Sequence, residues 1–156
     1  MDADELRQYI CDTFDGVRAA EGSGDTFFLY DPAGDLPPER QQPFATIVTG
    51  DHYDHVSNLD RPGGAYRVNI GLTKATYTAR FGAAATERDA DGVLRTGADY
   101  TATDTLMPHP IYASQYWVCV VNPGEATLPT VRALLAEAYE FWVRKYANQQ
   151  ARRQDE

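Results

Sequence analysis

The segment Asp51-His52-Tyr53-Asp54-His55 has residue types and a spacing that could bind a metal ion. His52 and Asp54, with the distant His109, match the sequence form of a two-histidine, one-carboxylate iron site. The barrel that usually carries such a site needs many strands, and no arginine follows His109 closely to hold an oxo-acid cosubstrate. We therefore interpret the segment as a solvated acidic loop and predict no metal or other cofactor. His52, Asp54 and His55 stay as minor metal candidates, and adventitious binding of zinc or nickel is compatible with the two histidines.

His109 lies between Pro108 and Pro110. Each proline fixes its own φ and restricts the residue before it to extended conformations, so the imidazole is carried on a stiff backbone. Such a histidine suits a general acid or base, or a contact with a ligand. The alternative is a rigid turn leading into a strand, with the imidazole hydrogen-bonded to a backbone carbonyl. Asp104 and Tyr112 are the sequence neighbours that could orient the ring.

Two arginines lie near one end of a predicted strand. Arg61 belongs to a turn-forming segment at 60–64, and Arg67 and Asn69 alternate with apolar residues just after it. Two guanidinium groups in one place could bind a carboxylate or a phosphate in bidentate fashion. The alternative is structural, with Asp60 pairing with an arginine to hold a long loop. The candidate catalytic residue is therefore His109, and the candidate ligand-binding residues are Arg61, Arg67, Asn69, Tyr112 and Asp60.

The hydrophobic pattern predicts the elements that position these side chains. Apolar and polar residues alternate from 66 to 72, which predicts a strand with one face on the core and one polar face. Residues 116–121 form an unbroken apolar run that is typical of a buried strand. Residues 83–104 show no convincing period. Further strands are predicted at 17–20, 26–30 and 44–49, and helices are predicted to begin near Asp2, Thr73 and Thr127.

These elements predict an α+β fold. We expect an antiparallel sheet of about five strands, with the N- and C-terminal helices packed on one face of the sheet. A single domain over residues 1–150 would be followed by a polar C-terminal tail at 151–156. A chain of 156 residues that is 43% hydrophobic can bury a core of this size.

The charge balance is acidic, with 14 basic against 23 acidic residues and a net charge of −9. This charge opposes binding to nucleic acid or to an anionic membrane surface. The N-terminal segment lacks the basic and apolar regions of a signal peptide, and the two cysteines fall in predicted core elements. We therefore expect a cytoplasmic protein with reduced thiols. The oligomeric state has no signature in the sequence.

Two hypotheses of function follow. The sequence contains no Walker loop, G-x-G-x-x-G or G-x-S-x-G motif, which argues against nucleophilic hydrolysis. The first hypothesis is a binding domain for a small molecule or a protein partner. The alternative is a small enzyme of specialised metabolism that uses His109 as acid or base and an arginine as anion site. We favour the binding domain, because a proton-transfer site usually shows more convergent ionisable residues.

Three stretches together resemble a known family. The sequence is similar to a family of small acidic actinomycete proteins known as domain of unknown function 6194, a resemblance that brings no activity with it. More distantly, the strand–turn–helix ending resembles the MmcQ/YjbR proteins, which implies a frataxin-like fold of helix, antiparallel sheet and helix. Some of those proteins are described as DNA-binding, a role that the acidic charge opposes here. The stretches are PFATIVTGDHYDHVSNLDRPG (43–63), YRVNIGLTKATYTARFG (66–82) and DTLMPHPIYASQYWVCVVNP (104–123).

Overall fold

The structure, a computed structural model, describes residues 1–154 of the chain. Two short 3₁₀ helices, at Pro38–Arg40 and Ala113–Gln115, lie in the connections between the main elements. The α-helices are α1 (Ala3–Thr13), α2 (Lys74–Phe81) and α3 (Leu128–Gln154). The strands are β1 (Val17–Gly22), β2 (Asp25–Tyr30), β3 (Ala45–Val48), β4 (Arg67–Gly71), β5 (Met107–Pro108) and β6 (Trp117–Val121).

The strands form an antiparallel sheet in the order β1-β2-β3-β4-β6-β5. The predicted α+β class with an antiparallel sheet is confirmed. The sheet has six strands within residues 1–154, where about five were predicted. One of the six is β5, whose two residues pair with Cys119 and Val118 of β6. A strand this short leaves no periodic pattern that the sequence could reveal.

One face of the sheet carries the main hydrophobic core. Val68 and Ile70 of β4 point to this face and are fully buried. They belong to the same packed cluster as Leu6 and Ile10 of α1 and Leu135 of α3. Because side chains alternate across a strand, this arrangement leaves Arg67 and Asn69 on the opposite face. The predicted packing of the N- and C-terminal helices on one face is confirmed.

Local capping fixes where the first two helices begin. In α1, the backbone N–H of Glu5 donates to the Asp2 side chain at 2.8 Å, and the Asp2 N–H donates back to the Glu5 side chain at 3.3 Å. In α2, the Thr73 hydroxyl accepts from the Thr76 N–H at 3.2 Å. Both helix starts were predicted from the sequence and are confirmed, because an N-cap needs only residues that are neighbours in the chain.

The third helix depends on a partner that is distant in the sequence. The Asp104 carboxylate accepts from the backbone N–H groups of Gly124, Ala126 and Thr127, and from the Thr127 hydroxyl. These bonds satisfy donors at the start of α3 and place a negative charge there. The hydrogen bonds from Thr127 and Gly124 hold the pKa of Asp104 below its ordinary value. Asp104 therefore anchors α3 and does not orient His109.

Helix α3 continues through most of the residues predicted to form a polar tail. The helix includes residues 151–154, whereas 155 and 156 lie outside the described residues. Arg152 and Arg153 occupy its last turn, where basic side chains interact favourably with the helix dipole. Polar composition therefore did not mark the end of the helix. In the part of the chain that the structure describes, no helix is both long and apolar enough to cross a membrane.

Replacing Leu135 with Ala tests the packing of α3 on the sheet. Leu135 is fully buried, so we expect Leu135→Ala to lower the free energy of unfolding by about 2–5 kcal/mol. Urea denaturation followed by circular dichroism measures the change. The matched control is Glu140→Ala on the exposed side of the same helix, which we expect to change stability by less than about 0.5 kcal/mol. Equal midpoints for the two variants would contradict the packing of α3 on the core.

Candidate functional site

The face of the sheet opposite α1 and α3, which no α-helix of residues 1–154 covers, is called the helix-free face. It carries a cleft of about 450 Å³. Its floor comes from β2, β3, β4 and β6, and its walls come mainly from the connections β3–β4 and β5–β6. Both walls bring polar and aromatic side chains over the sheet, among them Asp54, His109 and Tyr112. The strand residues that line the floor include Phe27, Thr46, Arg67, Asn69 and Trp117.

Arg67 is the centre of a polar network on the floor of the cleft. Its Nη1 and Nη2 atoms donate to the two carboxylate oxygens of Asp54, at 3.2 and 2.9 Å. Nη1 also donates to the Ser57 hydroxyl at 2.8 Å, and Nε donates to Asn69 Oδ1 at 3.0 Å. The Asn69 amide in turn donates to Thr46 Oγ1 at 2.9 Å. The network joins two neighbouring strands to the β3–β4 connection.

The Arg67–Asp54 pair is a shielded, bidentate ion pair. The side chain of Arg67 is 2% exposed and that of Asp54 is 10% exposed. Desolvation tends to raise the pKa of Asp54, but the hydrogen bonds and the charge of Arg67 outweigh it and hold the pKa below the ordinary 3.8. Asp54 is therefore ionised at neutral pH and neutralises Arg67. The floor of the cleft carries no net charge from this pair.

The β3–β4 connection is held over the sheet by its own hydrogen bonds. The Asp51 carboxylate accepts from the backbone N–H groups of Leu59 and Asp60, at 2.8 and 3.2 Å. Leu59 is buried and packs with Val48 and Val121 in a small second core on this side of the sheet. These contacts give the wall of the cleft a fixed position, and they place Asp54 where it meets Arg67.

The imidazole of His109 is oriented by its own turn. Nδ1 accepts from the backbone N–H groups of Ile111 and Tyr112, at 3.1 and 3.0 Å. Since Nδ1 accepts, the proton of the neutral ring is on Nε2. The Tyr112 ring lies beside the imidazole, with 5.1 Å between the ring centroids. The imidazole is therefore held by a turn next to Pro108 and Pro110. Within residues 1–154 the ring accepts from backbone N–H groups and does not donate to a backbone carbonyl.

Nε2 of His109 is the donor that this turn leaves for the cleft. The residue is 3% exposed, and Nε2 has no hydrogen-bond partner among residues 1–154. Among residues 1–154, the one side-chain nitrogen or oxygen that is both completely buried and without a hydrogen-bond partner is Arg7 Nε. Since His109 Nε2 also has no partner, it is not completely buried, and it retains access to the cleft that the ring lines. Burial and, secondarily, the charge of Arg67 lower the pKa of His109 to about 3, against a smaller opposing effect of Asp54. His109 is therefore a neutral donor at physiological pH.

The structure brings four of the predicted site residues together and separates two from them. Arg67, Asn69, His109 and Tyr112 line one cleft. Arg61 does not line it, because its guanidinium donates to the backbone carbonyls of Ser57, Asn58 and Thr101 and thereby holds the loop. Asp60 does not line it either, and no arginine within residues 1–154 forms an ion pair with it. The loop-holding ion pair predicted for Asp60 is made by Asp54 instead.

The three minor metal candidates have separate surroundings. His52 Nε2 pairs with the buried carboxylate of Asp25, while Asp54 pairs with Arg67 and His55 is exposed. No group of three histidine, cysteine, aspartate or glutamate side chains lies close enough to hold a metal ion anywhere in residues 1–154. The sequential proximity of these side chains does not become a metal-binding cluster, because His52 and Asp54 pair with different residues of the sheet and His55 is exposed to solvent.

Sequence reasoning missed several residues of the site. The sequence predicts Asp54 only as a minor metal candidate, and it does not predict Thr46, Ser57 or Trp117 as residues of the site. Strand parity could have identified two of them, since Thr46 and Trp117 lie opposite Asn69 and Gly71 in neighbouring strands and share their face. No local signal marks Ser57 or the role of Asp54, because both depend on how the loop folds over the strand.

The family to which the chain belongs follows from a comparison with family models. The model of DUF6194, described as a family of unknown function, matches residues 1–151. The protein belongs to the DUF6194 family. The match includes every residue of the cleft, and it agrees with the resemblance of the three stretches described above. Comparison of this DUF6194 protein with curated proteins and with solved structures gives no match.

Replacing Asp54 with Ala tests the ion pair. The variant leaves the buried guanidinium of Arg67 without a counter-ion, so we expect the free energy of unfolding to fall by about 3–5 kcal/mol. The matched control is Glu87→Ala, which removes the exposed pair with Arg95 and should cost less than about 1 kcal/mol. Urea denaturation measures both. A loss from Asp54→Ala no larger than that from Glu87→Ala would contradict the central role of the pair.

His109 makes stability depend on pH. The folded pKa of about 3 lies below the ordinary 6.5, so acid favours the unfolded chain, which binds the proton more readily. The contribution of His109 is complete above pH 6.5 and is lost as the pH falls from 6.5 toward 3, by up to about 1.4 kcal/mol per pH unit.

Urea titrations across this pH window check the expectation with two asparagine variants. His109→Asn keeps an oxygen that can accept from the turn but has no group that titrates here, so its stability should fall less steeply with acid than that of the wild type. His55→Asn alters an exposed histidine outside the cleft and should keep the wild-type slope. Parallel curves for wild type and His109→Asn would contradict the lowered pKa.

Proposed function

We propose that this DUF6194 protein is a small-molecule-binding domain whose site is the cleft on the helix-free face of the sheet. The observation that carries the proposal is the imidazole of His109. It is nearly buried, fixed by two backbone N–H groups, and without a partner for Nε2 among residues 1–154. Because a poorly solvated polar group without a partner costs free energy, a ligand that accepts from Nε2 gains more here than on an open surface.

The shape of the site supports a small molecule rather than a protein partner. A volume of about 450 Å³ lies within the range of small-molecule clefts, roughly 300–1,000 Å³. Its polar groups converge at the bottom of a concavity, where Arg67 and Asn69 are buried. A protein partner would more commonly use an exposed apolar patch with a polar rim.

The alternative is an enzyme that uses His109 as acid or base and an arginine as anion site. The presence of His109, Tyr112 and Arg67 in one cleft favours it. A pKa of about 3 opposes it, since a proton carrier works best when its pKa lies near the working pH. Arg67 is also already neutralised by Asp54. In an enzyme of this kind, His109 would act as a neutral hydrogen-bond donor to developing negative charge.

The wider relationships and the location are proposals as well. The order of helix, antiparallel sheet and helix supports a distant relationship to the frataxin-like MmcQ/YjbR proteins, and the actinomycete origin rests on the resemblance alone. Both cysteines are free, and Cys119 is buried, with burial raising its pKa to about 12. Unpaired thiols support a reducing, cytoplasmic environment. The net charge of −9 supports a role that does not involve nucleic acid.

Tryptophan fluorescence can test the binding proposal. The chain has two tryptophans, of which Trp117 lines the cleft and Trp142 lies on α3. In a Trp142→Phe variant the emission reports on the cleft alone. We expect titration with a library of small aromatic and heteroaromatic fragments to give saturable changes in this emission for the fragments that bind.

The matched control is Trp117→Phe, whose remaining tryptophan lies outside the cleft. The fragments that change the emission of Trp142→Phe should leave that of Trp117→Phe unchanged. A library that produces no saturable change in Trp142→Phe, or equal changes in both variants, would contradict a ligand site in the cleft.

A further inference from the structure

The lining of the cleft has more hydrogen-bond donors than protein acceptors occupy. Arg67 uses four of its five N–H groups, and Asn69 uses one of its two amide N–H groups. Thr46 accepts from Asn69, and its own hydroxyl proton has no acceptor within the described residues. The Nε2–H of His109 adds a fourth unused donor. A molecule that satisfies these four donors must offer acceptor atoms.

Aromatic and apolar side chains form much of the rest of the cleft lining. Phe27 and Trp117 rise from the sheet, and Ile111 lies on the β5–β6 connection. Tyr53 and Tyr112 stand at the opening, where they are 60% and 50% exposed and belong to the few exposed large hydrophobic residues. Ring faces and edges arranged around one space favour a flat aromatic guest, because stacked and edge-to-face contacts add to the burial of apolar area.

The charges in the lining favour an uncharged guest. The ionisable groups other than tyrosine that line the cleft are Asp54, Arg67 and His109. Arg67 and Asp54 neutralise each other through a bidentate pair, and burial keeps His109 neutral. An anion or a cation would therefore lose its hydration without gaining a free counter-charge, which is costly in a poorly solvated site.

We propose that the cleft binds an uncharged, planar aromatic or heteroaromatic molecule whose carbonyl oxygen accepts a hydrogen bond from His109 Nε2. This inference rests on the proposed function and adds the chemical class of the ligand to it. Thr46 and Asn69 supply further donors beside the acceptor, and Trp117 and Tyr112 bound the ring system. His109 is a positioning donor in this arrangement, because its geometry comes from the backbone of Ile111 and Tyr112.

Three probes of similar size separate the parts of the proposal. Isoquinolin-1(2H)-one is uncharged and has a carbonyl, naphthalene has no acceptor, and 2-naphthoate carries a negative charge. We expect isoquinolin-1(2H)-one to bind the wild-type protein at least about tenfold more tightly than either of the others, the advantage of one well-placed hydrogen bond. Chemical-shift titrations of the ¹⁵N-labelled protein give the dissociation constants and show whether the shifts map to the cleft.

The ring nitrogens of His109 provide a direct readout in the wild-type protein. Long-range ¹H–¹⁵N spectra should show Nδ1 unprotonated and Nε2 protonated, with Nε2 shifting when isoquinolin-1(2H)-one binds. In His109→Asn, the tenfold advantage over naphthalene should disappear, because the side chain can still accept from the turn but no longer reaches the carbonyl. His55→Asn is the matched control and should keep the advantage.

The outcomes distinguish the two levels of the proposal. Tighter binding of 2-naphthoate in the cleft would overturn the uncharged class, and equal binding of naphthalene would overturn the carbonyl contact, while the small-molecule function would stand. A wild-type Nε2 signal that does not move when isoquinolin-1(2H)-one saturates the cleft would overturn the role of His109, whether or not His109→Asn folds. If none of the probes shifts a cleft signal and the fragment library is also silent, both proposals fail.

Discussion

The ion pair between Arg67 and Asp54 is the constraint on which the helix-free side of the structure depends. A guanidinium that lies in a central strand of the sheet and is 2% exposed is tolerated only if a counter-charge and further acceptors surround it. Asp54 supplies the charge from the β3–β4 connection, and Ser57 and Asn69 complete the shell. The connection must therefore fold back over the sheet, and in doing so it builds one wall of the cleft. The same loop conformation therefore buries the charge of Arg67 and forms part of the cleft.

The two faces of the sheet differ in how their side chains are covered. On one face, apolar side chains such as Val68 and Ile70 are closely packed against α1 and α3. On the other, loops held by Asp51 and Arg61 cover the sheet without filling the space above it. Since residues of opposite parity in the same strand serve the two faces, β4 connects the core directly to the floor of the cleft.

His109 illustrates how an environment changes the chemistry of a residue. The prolines on either side suggested an imidazole prepared for proton transfer or for contact with a ligand. Inside the folded chain, two backbone N–H groups occupy Nδ1, and burial lowers the pKa to about 3. The ring thereby loses the proton exchange that makes histidine useful as an acid or base near neutrality and becomes a neutral donor of fixed direction. Of the two roles that the prolines suggested, this environment opposes proton transfer and is compatible with contact to a ligand.

The sequence by itself determined the α+β class, the antiparallel strands, the starts of α1 and α2, and the face of β4 that carries Arg67 and Asn69. These features follow from periodicity and from caps, which act between residues only a few positions apart. Only the tertiary structure decided that Asp54 is the partner of Arg67, that Asp104 anchors α3, and that Arg61 holds a loop instead of lining the site. A buried polar or charged group needs a partner, and the folded loops determine which residue lies close enough to be that partner. Residues that meet in this way are distant in the sequence, so no local pattern marks the pair.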